Sequence, residues 1–380
     1  MSEKRIESID FWRGAVLAMI FINHIPGNVL GNLTPRNYGF SDAAEAFVFL
    51  SGLSVALAYA RRFRSAPNWT ASAPLLSRAK RLYATHILLT VLALGLFGLA
   101  TLLTGQEQFL AEHGRATLFH DPLRGLIGVA TLGHQIGYFN ILPLYVALLL
   151  FAPLLFVTGL RSRWRMLLLS AGIYAVARLT GANLPSWPEP GAWFFNPLTW
   201  QFMFALGVFA GLVLQDGKFP IHAGAYRFAL ALTFGAALIV TDVLGVLPDV
   251  AQAVSAHLDR GKTELGVIRI ADFLALAYVL YCSGLSAKLK PTAIFSAMSL
   301  MGRHSLAVFG AGSLLSVIGQ ILNATAIRSP LFDVVFVLAG LWTLYKLASF
   351  LECRHRITPR AATAAASADF VRTEELSFTR

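Results

Sequence analysis

Residues 10–26 read DFWRGAVLAMIFINHIP, an apolar run interrupted by Asp10, Arg13, Asn23 and His24. An ionisable side chain inside a bilayer costs about 2.5–3.5 kcal/mol on insertion scales, so residues of this kind are candidates for function. Arg13 and His24 lie eleven positions apart. At about 100° per residue a helix returns both to nearly one face, roughly 16 Å apart along its axis. Asp10 sits one turn before Arg13 on that face. The stripe carries an ion pair at one end and an imidazole at the other, a set suited to charge recognition and proton transfer. A simpler reading makes Asp10 and Arg13 an interfacial anchor and His24 a hydrogen bond between helices. Pro26 and Gly27 favour the functional one, because they break the helix beyond His24 and free backbone groups, as at membrane-embedded sites.

Partners for this stripe follow in the sequence. The segment FSDAAEAFVFLSG brings Ser41, Asp42 and Glu45 to the start of a second apolar run, with the two carboxylates three residues apart. A carboxylate beside His24 would orient the imidazole and stabilise the imidazolium of a general base, although Ser41 or Asp42 also suits a helix cap. Farther on, Arg78 and Arg81 form an Arg-x-x-Arg element, facing Arg61, Arg62 and Arg64 across a short loop. Paired guanidiniums match phosphate oxygens, and topology alone explains part of the same charge. Secondary candidates are His134, Tyr138, Trp200, Gln201 and His304, together with Arg269 and Asp272, which lie one turn apart and are expected to neutralise each other. The chain contains no serine elbow, zinc-binding His-Glu-x-x-His or P-loop, and no metal site is expected.

The elements that must hold these residues are membrane helices. The chain of 380 residues is 56% apolar and 13% charged, about half the charged fraction of a soluble protein. Its net charge of +11 is gathered into short segments between apolar runs, which argues against nucleic-acid binding and for a multi-pass protein among lipids. Ten segments approach the roughly 20 residues needed to span a bilayer: 10–29, 41–60, 81–104, 136–158, 165–181, 198–214, 227–246, 267–286, 304–323 and 332–351. The fold expected is an all-α polytopic membrane protein of about ten transmembrane helices. Short basic loops follow the even-numbered segments, with Arg61 to Lys80, then Arg161, Arg163 and Arg165, then Lys218, then Lys288, Lys290 and Arg303. Both termini are therefore expected in the cytoplasm. Residues 1–356 are expected to form one integral membrane domain, and the Ala-rich segment 357–380 a mobile cytoplasmic tail. The N-terminal stretch MSEKRIESIDFWRG is read as part of a retained first helix, and Cys282 and Cys353 as packing residues.

Segments on the opposite side differ in kind. Residues 105–135 hold Glu107, Glu112, His113, His120, Asp121 and His134. Residues 182–197, ANLPSWPEPGAWFFNP, carry Trp187, Trp193, Phe194 and Phe195, which suit either a membrane boundary or the apolar face of a sugar ring.

The combination RIESIDFWRG, INHIPGN and LTPRNYGFSDAAEAFVFLSGLSVALAYARR resembles the opening of OpgC-type proteins, within the wider membrane-bound acyltransferase 3 family. In that wider family an arginine and a histidine separated by ten residues on the first helix, with the histidine catalytic, correspond to Arg13 and His24. Its cytoplasmic Arg-x-x-Arg corresponds to Arg78 and Arg81. The resemblance implies transfer of an acyl group from cytoplasmic acyl-CoA to a saccharide hydroxyl outside. For the OpgC branch it implies succinyl-CoA as co-substrate, a periplasmic glucan as acceptor and the bacterial inner membrane as location; separately, the charge of Arg36 in NLTPRNYGF would suit the distal carboxylate of a succinyl group. The competing readings are O-acetylation of another envelope polysaccharide and a transporter in which Asp10, Arg13, His24 and Glu45 relay protons. No internal repeat of the kind common in transporters is visible in the sequence.

Overall fold

The computed structural model describes residues 6–217, 219–241, 259–325 and 329–377, with side chains to residue 354. Among them the chain is helical, the sole extended pairing being an isolated bridge between Pro185 and Ala192. In order run α1 (Glu7–Asn23), α2 (Ala43–Ser65), α3 (Asn68–Thr104), three short helices α4 (Gln108–Ala111), α5 (Arg115–His120) and α6 (Pro122–Ala130), then α7 (Ile141–Gly159), α8 (Arg163–Thr180), α9 (Pro197–Asp216) and α10 (Ala223–Thr241). They are followed by α11 (Val267–Cys282), α12 (Leu285–Leu289), α13 (Ala293–Arg303), α14 (Ser305–Thr325) and α15 (Pro330–Ser377).

Each of the ten expected segments falls on a helix, but they are not equivalent. Seven helices, α2, α3, α7, α9, α10, α14 and α15, are long and apolar enough to cross a membrane. The other three, α1, α8 and α11, have 17, 18 and 16 residues. They are also the helices that carry Asp10 and Arg13, three arginines, and Arg269 with Asp272. Helix α15 runs on through residues 357–377, whereas Lys218 and the last five residues of the expected segment 227–246 lie outside the described residues. Helix α13 was not expected from the sequence, because its 11 residues are too few to span.

The long helices alternate in direction, so the molecule has two ends. One gathers Arg61, Arg78, Arg161 and Arg303 and is the basic end; the other gathers the loops 24–42, 105–140, 182–196 and 259–266 and is the loop end. Lipid-type packing holds the bundle: small residues let backbones approach where an apolar solvent gives no hydrophobic drive. A Cβ on Gly14 of α1 would collide with the carbonyl oxygen of Met298 in α13, and one on Gly302 with that of Asp10. Gly52 of α2 and Gly207 of α9 are locked against each other's helices in the same way. The fully buried centre is apolar, with Val55, Ala56, Leu148, Leu149, Phe204 and Val208 between α2, α7 and α9. Exposed apolar residues such as Leu102, Leu168, Phe228 and Trp342 lie on the periphery, as expected of surface that faces acyl chains. Cys282 is half-buried and Cys353 exposed, both as free thiols, so Cys353 does not pack inside the bundle as the sequence suggested. It lies at the end of the apolar part of α15, where there is no core to enter.

Candidate functional site

Helix α1 ends at Asn23, and His24 is its C-cap. Pro26 and Gly27 stop the helix, and Gly27 takes the left-handed φ of 76° that an L side chain disfavours. The carbonyls freed by the break are capped by amide side chains. Asn28 Nδ2 donates to Ile22 O at 2.8 Å and Ile25 O at 2.6 Å. Gln320 and Asn323 of α14 donate to His24 O at 2.9 Å and Pro26 O at 3.0 Å. The backbone of His24 is thus held at a fixed break at the end of α1, not on a loose loop.

His24 lines a cavity of about 330 Å³ at the loop end. Asn23, Arg36, Asp42, His113, Tyr138, Phe194, Phe195 and Lys262 line it too. Nδ1 of His24 is buried with no hydrogen-bond partner among the described residues. The Tyr138 ring lies 4.9 Å from the imidazole and 5.6 Å from that of His113. Both Tyr138 (φ 69°) and His113 (φ 57°) hold left-handed backbone, which costs a non-glycine residue about 1–3 kcal/mol and clusters at functional sites. Asn23 accepts from Thr34 Oγ1 at 2.8 Å, which fixes the 3-10 turns that carry Arg36.

Neither expected carboxylate partner makes a hydrogen bond to His24. Asp42 and Glu45 instead form a reciprocal capping box at the start of α2: Asp42 accepts from Ala44 N at 2.7 Å, and Glu45 Oε2 from Asp42 N at 2.8 Å. Glu45 has no exposed surface and accepts from Arg269 Nε at 2.7 Å. Asp42 accepts from Lys262 Nζ at 2.6 Å and lies 3.3 Å from Arg269. The expected neutralisation of Arg269 by Asp272 is corrected. Arg269 spans from α11 to Asp42 and Glu45, while Asp272 takes the amide and hydroxyl of Ser41 at 2.9 and 2.6 Å. One turn of a helix brings two side chains together, yet here α2 and the residues just before it offer each a buried partner.

Lys262 is the residue of this site that sequence reasoning missed. Its loop is clamped by Trp200 Nε1, which donates to Lys262 O at 3.0 Å, and by Tyr174 Oη, which donates to Leu265 O at 2.8 Å. A signal was present: Lys262 is a cation in a segment expected on the cation-poor side. Asp42, Glu45, Lys262 and Arg269 balance in charge, and Arg36 is then a lining cation with no partner among the described residues. Phe194 and Phe195 reach the cavity, whereas Trp193 is buried behind them and Trp187 lies elsewhere on the loop-end surface.

At the basic end α1 lines a second cavity, of about 530 Å³. Arg13, Arg78, Arg81, Arg303 and His304 face it, with Tyr59 and Tyr145. Arg78 donates to Tyr145 Oη at 2.7 Å, Arg13 lies 3.6 Å from Asp10 and also bonds Ser305, and Glu352 holds both His304 at 2.9 Å and Arg303 at 3.4 Å. Asp10 itself is buried against Gly302 and does not line the cavity. Arg61 and Arg62 are exposed at the end of α2 and do not line it either; Arg303, with His304 beside it, completes the lining with Arg78 and Arg81.

A thin partition separates the two cavities. Leu17, Phe47 and Leu142 line its basic side and Ile20, Ala44 and Ile141 its loop side, so it is about one helical turn thick on α1 and α2. Among the described residues no group of three or more His, Cys, Asp or Glu gathers as a metal site.

These features define a multi-pass helical membrane protein with a cation-lined cavity at one end and a histidine-bearing cavity at the other. A sequence profile of the OpgC protein family matches residues 5–356, and the chain belongs to that family. Membership implies an acyltransferase-type role in glucan modification. No curated protein and no solved structure matched the chain.

Proposed function

We propose that this protein transfers a succinyl group from cytoplasmic succinyl-CoA to a hydroxyl of a periplasmic glucan, from the bacterial inner membrane, with both termini in the cytoplasm. The observation that carries the reading is that one helix, α1, lines both cavities: Arg13 faces the cation-lined one and His24, eleven residues along, the other. A donor with a phosphorylated head, a long thin arm and a thioester at its tip has that polarity.

Arg78, Arg81 and Arg303 are suited to the phosphates, since guanidiniums offer paired donors in a plane. His24 Nε2 accepts the acceptor hydroxyl's proton as its oxygen attacks the thioester carbonyl. The C–S bond breaks, an ester forms, and the proton passes to the departing thiolate. General-base help of this kind contributes about 10²–10⁴-fold. Arg36 is suited to the distal carboxylate of the succinyl group, and the faces of Phe194, Phe195 and Tyr138 to a sugar ring. Asp42, Glu45, Arg269 and Lys262 position the wall of the site.

The test is mass spectrometry of periplasmic glucans from cells carrying the protein or its His24→Ala variant. Wild type is expected to add succinyl groups and the variant, at equal membrane abundance, none. Normal modification by the variant would remove His24 from the chemistry. A gain matching acetyl would replace the donor, and a purified protein that never consumes any acyl-CoA with glucan present would favour the transporter.

A further inference from the structure

A third polar cavity, used by neither half of the transfer, lies at the basic end between α2, α7, α8 and α9. It encloses about 370 Å³. Three guanidiniums line it, from Arg64, Arg161 and Arg163, against the single carboxylate of Asp216. Asp216 lies 3.1 Å from Arg163 and 3.9 Å from Arg64, while Arg161 has no partner among the described residues. The lining therefore holds an excess of two positive charges. Trp164, next to it, is 69% exposed with its ring against Phe209 at 5.3 Å, the posture of an aromatic residue at a membrane boundary.

Directly along the same helix, and beginning about 7.5 Å from Arg163 by helical rise, runs an apolar groove of about 490 Å³. Leu168, Gly172 and Val176 follow Trp164 at four-residue steps and form its near wall. A Cβ on Gly172 would meet nothing within 4 Å, so the missing side chain leaves room between Leu168 and Val176. Leu168 and Val176 are 71% and 60% exposed, so the groove opens toward acyl chains.

We propose that α8 carries a binding site for one anionic phospholipid, its phosphate among Arg64, Arg161 and Arg163 and one acyl chain in the groove over Gly172. Charge complementarity selects the occupant. A zwitterionic headgroup would bring its own cation against an excess of two positive charges, and a free phosphate would fill the cavity but leave the groove unused. The inference is independent of the transfer reading, because none of these residues lines the other two cavities.

The test is thermal unfolding of the detergent-purified chain titrated with phosphatidylglycerol, phosphatidylcholine or inorganic phosphate. Phosphatidylglycerol is expected to raise the midpoint and phosphatidylcholine to leave it near the lipid-free value. Arg161→Gln should weaken the phosphatidylglycerol response about ten-fold, the loss of one charge-assisted contact. It should unfold like wild type without lipid, since it breaks no internal bond. Gly172→Leu should weaken the response to phosphatidylglycerol while sparing any response to phosphate. An equal response to phosphatidylcholine, an unchanged Arg161→Gln titration, or a full response to inorganic phosphate alone would each overturn the proposal.

Discussion

Removing the Glu45 carboxylate is expected to damage the loop-end site through its frame, and the size of the effect follows from its contacts. Glu45→Ala leaves the Arg269 guanidinium, itself only 8% exposed, without its 2.7 Å partner. Breaking a buried pair from one side costs about 3–5 kcal/mol. Asp42 at 3.3 Å still compensates part of that charge, which places the loss near the lower figure. The Asp42 amide also loses its acceptor, worth about 1 kcal/mol as half of a capping box. A total of about 4 kcal/mol is expected. Arg269→Met should cost a similar amount for the mirror reason. The double variant leaves no orphaned charge, so its cost should fall at least 1 kcal/mol short of the sum. Denaturant unfolding in mixed micelles measures all four proteins of the cycle. A Glu45→Ala cost below about 0.5 kcal/mol, or strictly additive costs, would refute the buried-pair reasoning. Glu45→Gln supplies the catalytic control: transfer per folded molecule should keep the wild-type pH profile, whereas a displaced profile would mean that Glu45 acts on His24 itself.

Three further outcomes are expected. Gly14→Leu should destabilise by roughly 1–3 kcal/mol or more through overpacking against the Met298 carbonyl, read as a lowered unfolding midpoint, while exposed Gly172→Ala should be near neutral. Tyr138→Gly relieves left-handed strain and should raise stability by up to about 1 kcal/mol while slowing transfer, because the ring against His24 is gone; a variant as fast as wild type would remove Tyr138 from the site. Arg81→Gln should raise the KM for the donor about ten-fold and Arg62→Gln should not, since only Arg81 lines the basic cavity; equal effects would argue for a diffuse surface potential.

How much of this was legible in the sequence depended on whether the signal was local. The helices were visible because length and apolarity are properties of a single segment, and the Arg13–His24 stripe because helical periodicity is too. The capping box at Asp42 and Glu45 was equally local. Partners across helices were not legible. Arg269 reads as the mate of Asp272 until α2 is packed beside α11, and then a fully buried Glu45 offers a stronger contact than a neighbour one turn away. The cations beside Arg78 and Arg81 were sought in the adjacent loop, at Arg61, Arg62 and Arg64, but the cavity takes Arg303, more than 200 residues on, with His304 next to it, because α1 and α14 meet there. Helix α13 escaped because a short helix lacks the length of a span, and its glycine contacts appear only once α1 lies against it.

The partition between the two cavities also bears on the cell's energy supply. An unbroken aqueous column through an energised membrane would conduct protons, each releasing about 2.3 kcal/mol per 100 mV. Leu17, Ile20, Ala44, Phe47, Ile141 and Leu142 offer such a proton no oxygen or nitrogen side chain to rest on. A layer one turn thick and free of polar side chains keeps the two cavities from joining into such a column, so the bundle holds polar space at both of its ends without opening a proton path between them.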